Sequence, residues 1–95
     1  MNIKDKLNFD LPVSETSLFK GVVGTTSAFQ IMEGIQLNSQ TLNVPAMLLC
    51  IEGKVIFQDE KGNNETLNPG DYVNIKPVEN YRIRGLSNSQ LIRIE

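Results

Sequence analysis

Proton transfer near neutral pH most often uses histidine, and this chain of 95 residues has none. Of the remaining side chains, the acidic groups that could act on a substrate or hold a metal are one thiol (Cys50), two phenols (Tyr72 and Tyr81) and 11 carboxylates. A transition-metal site needs nitrogen, sulfur or carboxylate ligands converging on one point. Glu33, Cys50 and Asp71 are the right types, but nothing in their spacing gathers them, so no metal and no other cofactor is expected. Metal-free acid–base work needs a group with a tuned pKa in a pocket. Tyr81 with a carboxylate such as Glu33 is the pairing that would supply it, as in a metal-independent isomerase or cyclase. Against this, a lone cysteine in an apolar run such as Cys50 is ordinarily a small buried hydrophobe. Tyr81 reads equally as a buried ring whose hydroxyl is met by a neighbour. The residue types lean against an enzyme.

Charge narrows the partners. Lysine and arginine total 9 against 11 acidic residues, a net charge of -2, which leaves no basic footprint for nucleic acid or an anionic membrane. Lys76, Arg82, Arg84 and Arg93 fall near one another in the last third of the chain, and Arg82 and Arg84 alternate with Tyr81 and Ile83. They have the chemistry to bind an anion or a partner's carboxylates; a solvated outer face is the simpler reading. The most apolar stretch, Val44 to Ile51, contains Pro45 and is far short of the ~20 residues a membrane-spanning helix needs. The first residues alternate charged and apolar types, unlike a secretory signal. A cytoplasmic protein is expected, and its single cysteine excludes an internal disulfide.

The elements that must position these groups are strands. Helical periodicity is nearly absent: Ser14–Lys20 spans about two turns with no clear apolar stripe. Ser17–Val23 is a short apolar-rich run ending at Gly24-Thr25-Thr26. From Phe29 the chain alternates, with Phe29, Ile31, Glu33, Ile35 and Leu37 on one face, as in one strand. Ala46–Ile51 is a nearly continuous apolar run, expected of a strand buried on both faces. Glu52-Gly53 gives a reversal, Lys54–Asp59 alternates again, and Lys61–Asn64 fits a hairpin loop. Thr66-Leu67 is a short strand, and Pro69-Gly70 suits the centre of a type II turn braced by Asp71. Tyr72–Ile75, Tyr81–Arg84 and Gln90–Ile94 follow as short strands. Short strands at regular spacing indicate an all-β barrel or sandwich.

Leu48–Val55, a polar hairpin, and then Leu67–Ile75 with its Pro69-Gly70-Asp71 turn resemble the cupin superfamily. The family pairs an apolar strand ending in Glu-Gly with a later Pro-Gly-Asp turn leading into a strand. The resemblance runs from about Phe29 to the C-terminus. It implies a small double-sheet β-barrel of the jelly-roll type, with a pocket between the sheets and often a dimer. The sequence departs from the family where the metal ligands would be. Counting back from Gly53, the glutamate position holds Ala46 and the two histidine positions hold Leu42 and Gln40. The second motif's histidine position holds Tyr81.

One cupin-like domain over 1–95 is expected. The strand alternation that turns Ala46 toward the pocket also turns Leu48 and Cys50 there, with Val55, Phe57, Tyr81 and Ile83 joining and Gln40 and Leu42 at the family positions. That lining is apolar with one thiol and one phenol. The leading reading is a non-catalytic, metal-free module that binds a small molecule in this pocket. The alternatives are a structural or regulatory interaction protein with a filled barrel, and the isomerase or cyclase above. A domain of this size buries only about 60–70% of its unfolded surface. A homodimer is therefore expected, with the N-terminal segment, 1–20, carrying Leu7, Phe9, Leu11, Leu18 and Phe19 across to the neighbouring subunit.

Overall fold

The computed structural model of the chain describes residues 2–21, 24–40 and 44–95. After a 3₁₀ turn at Ile3–Lys6 come the strands β1 (Val13–Lys20), β2 (Thr25–Ile31), β3 (Gln36–Gln40), β4 (Ala46–Glu52) and β5 (Val55–Asp59). They are followed by β6 (Asn64–Leu67), β7 (Tyr72–Ile75), β8 (Asn80–Gly85) and β9 (Ser89–Ile94). Two antiparallel sheets result, one ordered β1-β2-β9-β4-β7 and the other β3-β8-β5-β6. This is the expected all-β, double-sheet barrel.

Alternation determines what fills the space between the sheets. From the five-stranded sheet, Phe29 and Ile31 (β2), Ala46, Leu48 and Cys50 (β4), Ile75 (β7) and Leu91 (β9) point inward. Val55 and Phe57 (β5), Leu67 (β6) and Tyr81 and Ile83 (β8) meet them from the other sheet. Each fully buried side chain of this kind contributes about 1.5–3 kcal/mol relative to exposure. On β4 the outward residues Met47, Leu49 and Ile51 are half-buried, so this strand is fully buried on one face only.

The alternating run from Phe29 to Leu37 is not one strand. β2 ends at Ile31, the chain reverses through Met32–Ile35 with Gly34 at φ +80°, and β3 starts at Gln36 in the opposite sheet. The reversal takes four residues, so the odd-numbered positions face the core on both sides of it. Glu33 therefore lies exposed in the turn and not on an apolar face. The segment Ser14–Lys20 belongs to β1, which among the described residues is an edge strand paired with β2 alone.

One end of the barrel is closed by the β4–β5 reversal. Gly53 sits there at φ +83°, and a Cβ on it would come within 2.3 Å of Ser89 Oγ and 2.5 Å of the Asn88 carbonyl. Ser89 Oγ accepts from the Lys54 N–H at 2.9 Å and donates to the Ser87 carbonyl at 2.8 Å. The Pro69-Gly70 turn closes beside it. The Asp71 N–H donates to the Asn68 carbonyl (2.8 Å), Asp71 Oδ2 accepts from the Asn68 N–H (2.8 Å), and Gly70 has φ +92°. The bracing role expected of Asp71 is thus met by hydrogen bonds.

The N-terminal segment packs on its own chain. Leu7 is buried, and Gln30 Nε2 on the outer face of β2 donates to the carbonyls of Asn8 (3.1 Å) and Leu11 (2.7 Å). Burying Leu7 thus requires no neighbouring subunit, whereas Phe9, Leu11, Leu18 and Phe19 remain exposed.

Candidate functional site

Strand alternation brings the candidate pocket residues together. Ala46, Leu48, Cys50, Val55, Phe57, Tyr81 and Ile83 all face the barrel interior, and none is more than 6% exposed. Gln40 ends β3, and its side chain lies outside the described residues, as does Leu42 altogether. The seven pack against Phe29, Ile31, Leu67, Ile75 and Leu91 in a single apolar cluster. Phe57 and Tyr81 close it near the mouth, their ring centroids 5.6 Å apart and their planes tilted by 31°. Two clefts open at that end, and the smaller is lined by Phe57, Asp59, Glu65 and Val73, whose register turns them inward from both sheets. One of about 450 Å³ touches Tyr81, and one of about 320 Å³ touches Phe57.

Chemistry inside this cluster is sparse. The Cys50 Sγ lies 3.6 Å from the Glu52 carbonyl and 3.8 Å from that of Gly53. Burial pushes the thiol's pKa up, opposed by a backbone hydrogen bond at Glu52 and reinforced by the Asp71 charge. A thiol held protonated is a poor nucleophile and a poor metal ligand. The Tyr81–Glu33 pairing does not form. Glu33 sits by Gly85, since the Gly34 N–H donates to the Gly85 carbonyl at 2.7 Å. Tyr81 lies four residues further along β8, roughly 13 Å at ~3.3 Å per residue.

Of the four family-like ligand positions, two have side chains among the described residues, Ala46 and Tyr81. Ala46 offers a methyl group, and Tyr81 is buried in ring packing with Phe57. Among the described residues no group of three or more His, Cys, Asp or Glu side chains could hold a metal ion.

Arg93 departs from the solvated-face reading given to the C-terminal cations. It follows Leu91 by two positions on β9 and so faces inward, level with Ser27 on β2 and Leu48 on β4. Its side chain is 17% exposed, and its guanidinium lies 5.9 Å from the Phe29 ring centroid, within cation–π range. It pairs with Glu15 on β1 and, without hydrogen-bond alignment, through Nε with Glu95 Oε1 at 2.9 Å. The shared parity with Leu91 was the available sequence signal. Arg82 and Arg84, by contrast, are exposed on the outer face of β8 as expected.

No family model and no curated protein matches the sequence. Solved structures do match the fold. A cupin 2 conserved barrel domain protein from Leptotrichia buccalis superimposes with a TM-score of 0.79 at 21% identity over 86% of this chain. The chain spans only 39% of that protein. A cupin superfamily protein from Desulfitobacterium hafniense gives 0.78 at 16% identity, over 86% of this chain and 74% of that one. The Cupin_2 domain of an XRE family transcriptional regulator from Enterobacter cloacae gives 0.79 at 15% identity, over 88% of this chain and 95% of that one. Two antiparallel sheets enclosing one apolar interior, superimposed this closely on cupin barrels, establish that the chain has the cupin fold.

Proposed function

We propose that this chain is a cytoplasmic, non-catalytic and metal-free cupin-fold interaction module whose barrel is filled by its own side chains. The observation that carries this reading is the interior itself. Leu48, Cys50, Val55, Ile83 and Leu91 are each 0% exposed and belong to one contiguous cluster. A small-molecule site of ordinary size holds roughly 300–1,000 Å³, and the packing of this cluster supports a filled interior beneath the cleft of about 320 Å³ at Phe57 and Val73. One structure of similar fold is a domain of a transcriptional regulator, a setting that suits a regulatory module.

The second half of the proposal is a homodimer formed through the outer face of the five-stranded sheet. Register sets Thr16, Ala28, Ile92, Leu49 and Tyr72 in one row across that face, and Phe19, Thr26, Ile94, Met47 and Asn74 in the next. Neither row carries a charge. Tyr72 is 57% and Phe19 67% exposed. An uncharged face with exposed apolar side chains at both ends of its rows favours a protein partner, and such a face can meet its own copy about a two-fold axis.

Shortening a side chain separates the filled barrel from an open one. Ile83→Ala in a packed core costs about 3 kcal/mol, because it leaves a cavity. On the wall of an open pocket it costs about 1 kcal/mol or less. Urea unfolding at one protein concentration is expected to give the larger loss; the smaller would favour a small-molecule pocket in the barrel.

A further inference from the structure

At the end of the four-stranded sheet, beside the β5–β6 loop, a cleft of about 450 Å³ runs from the inward row Ser39, Tyr81 and Asp59 onto the outer face, within the size range of small-molecule sites. We infer that this cleft binds a small monocarboxylate bearing hydroxyl groups, with Arg82 as the partner of the carboxylate. The inference is independent of whether the barrel interior is filled.

Register places Asn38 (β3), Arg82 (β8) and Gln58 (β5) side by side on adjacent strands. The next row along holds Leu37, Ile83 and Phe57, which face the core, so these three side chains stand on the outer surface. Asn80 and Glu60 continue the same parity at the end of the sheet and line the cleft with them. Arg82 is exposed and makes no ion pair or side-chain hydrogen bond among the described residues. A free guanidinium presents a planar fork that matches a carboxylate bidentately.

The two carboxylates of the cleft wall, Asp59 and Glu60, already have hydrogen-bond partners. Asp59 Oδ1 accepts from the N–H groups of Lys61 and Asn63, each at 2.9 Å, and its Oδ2 accepts from Asn63 Nδ2 at 2.8 Å. Glu60 Oε2 accepts from Asn80 Nδ2 at 3.4 Å. Their negative charge stays at the rim. It repels a dianion such as phosphate about twice as strongly as a monoanion, so a monocarboxylate is the anion that a bidentate contact with Arg82 can hold. Asn38 Oδ1 accepts from Gln36 Nε2 (3.1 Å) and Asn80 Nδ2 donates to Glu60, which leaves the Asn38 NH₂, the Asn80 oxygen and the Gln58 amide to meet hydroxyl groups beside the carboxylate.

The test is an NMR titration of the full chain with gluconate as the probe, beside sorbitol and inorganic phosphate. Gluconate is expected to give saturable shifts at the side-chain amides of Asn38, Gln58 and Asn80. Arg82→Gln should weaken it by about tenfold or more, and both sorbitol and phosphate should bind at least about tenfold more weakly. Arg82 is exposed, so the remaining amide shifts of the variant should stay in place. No saturable shift with gluconate, unchanged binding by the variant, or sorbitol or phosphate binding as tightly would each overturn the inference.

Discussion

Asp59 shows how one exposed carboxylate organises a loop. Its carboxyl accepts three hydrogen bonds from Lys61 and Asn63, and these hold it below the ordinary 3.8, with the Asn63 side chain the largest cause. A carboxylate with a lowered folded-state pKa stabilises the fold above its unfolded value, about 3.9. That contribution is lost as pH falls through the folded value. The β5–β6 loop should therefore keep its shape at pH 5 and loosen only in stronger acid. A carboxyl NMR titration is expected to place Asp59 below 3.8, and Asn63→Ala should move it up. An unchanged value in that variant would remove the side-chain amide as the cause. At this scale the sequence was partly legible. Cys50 and Tyr81 were readable as buried apolar groups from the runs that contain them. Arg93 was grouped with the solvated cations, because its type outweighed its parity with Leu91.

At the scale of the element, the β4–β5 reversal depends on Gly53. An alanine there would sit at φ +83° and press its methyl group against Ser89 Oγ and the Asn88 carbonyl. Left-handed backbone at a non-glycine residue costs about 1–3 kcal/mol before any clash. Gly53→Ala should lower stability by about 3 kcal/mol, read from chemical unfolding; a change under about 1 kcal/mol would show that the reversal relaxes at little cost. The Glu-Gly signal for this turn was plain in the sequence, as were β5, β7, β8 and β9; β4 was plain as a strand from its continuous apolar run, but its outer face is only half-buried. The division between β2 and β3 was obscured for a physical reason. A four-residue turn preserves parity, so Phe29, Ile31, Ile35 and Leu37 keep facing the core while the chain changes sheet, and Gly34 is the only local mark of it. β1 was hidden because it is an edge strand whose inward positions include Glu15 and Ser17, so it shows no apolar period.

The whole molecule presents two faces of different character. The outer face of the five-stranded sheet is apolar and charge-free around Ile92 and Leu49, and that of the four-stranded sheet is polar around Arg82 and Arg84. On the proposed reading, the first pairs two copies and leaves the second free. Light scattering at micromolar concentration is expected to give twice the 10.6 kDa chain mass. Tyr72→Lys combined with Ile94→Lys should return it to the single-chain mass with the fold retained, since both side chains are at least 40% exposed. A particle of single-chain mass before substitution would end the dimer proposal. A dimer that survives both lysines would move the interface elsewhere.

The filled barrel remains the central claim, and entry of an apolar gas tests it most directly. Xenon occupies dry apolar cavities that a core leaves open. In a methyl-labelled chain under xenon pressure, the methyl groups of Leu48, Val55, Ile83 and Leu91 are predicted to show no saturable shift. Saturable shifts at those methyl groups would reveal an open interior and contradict the account.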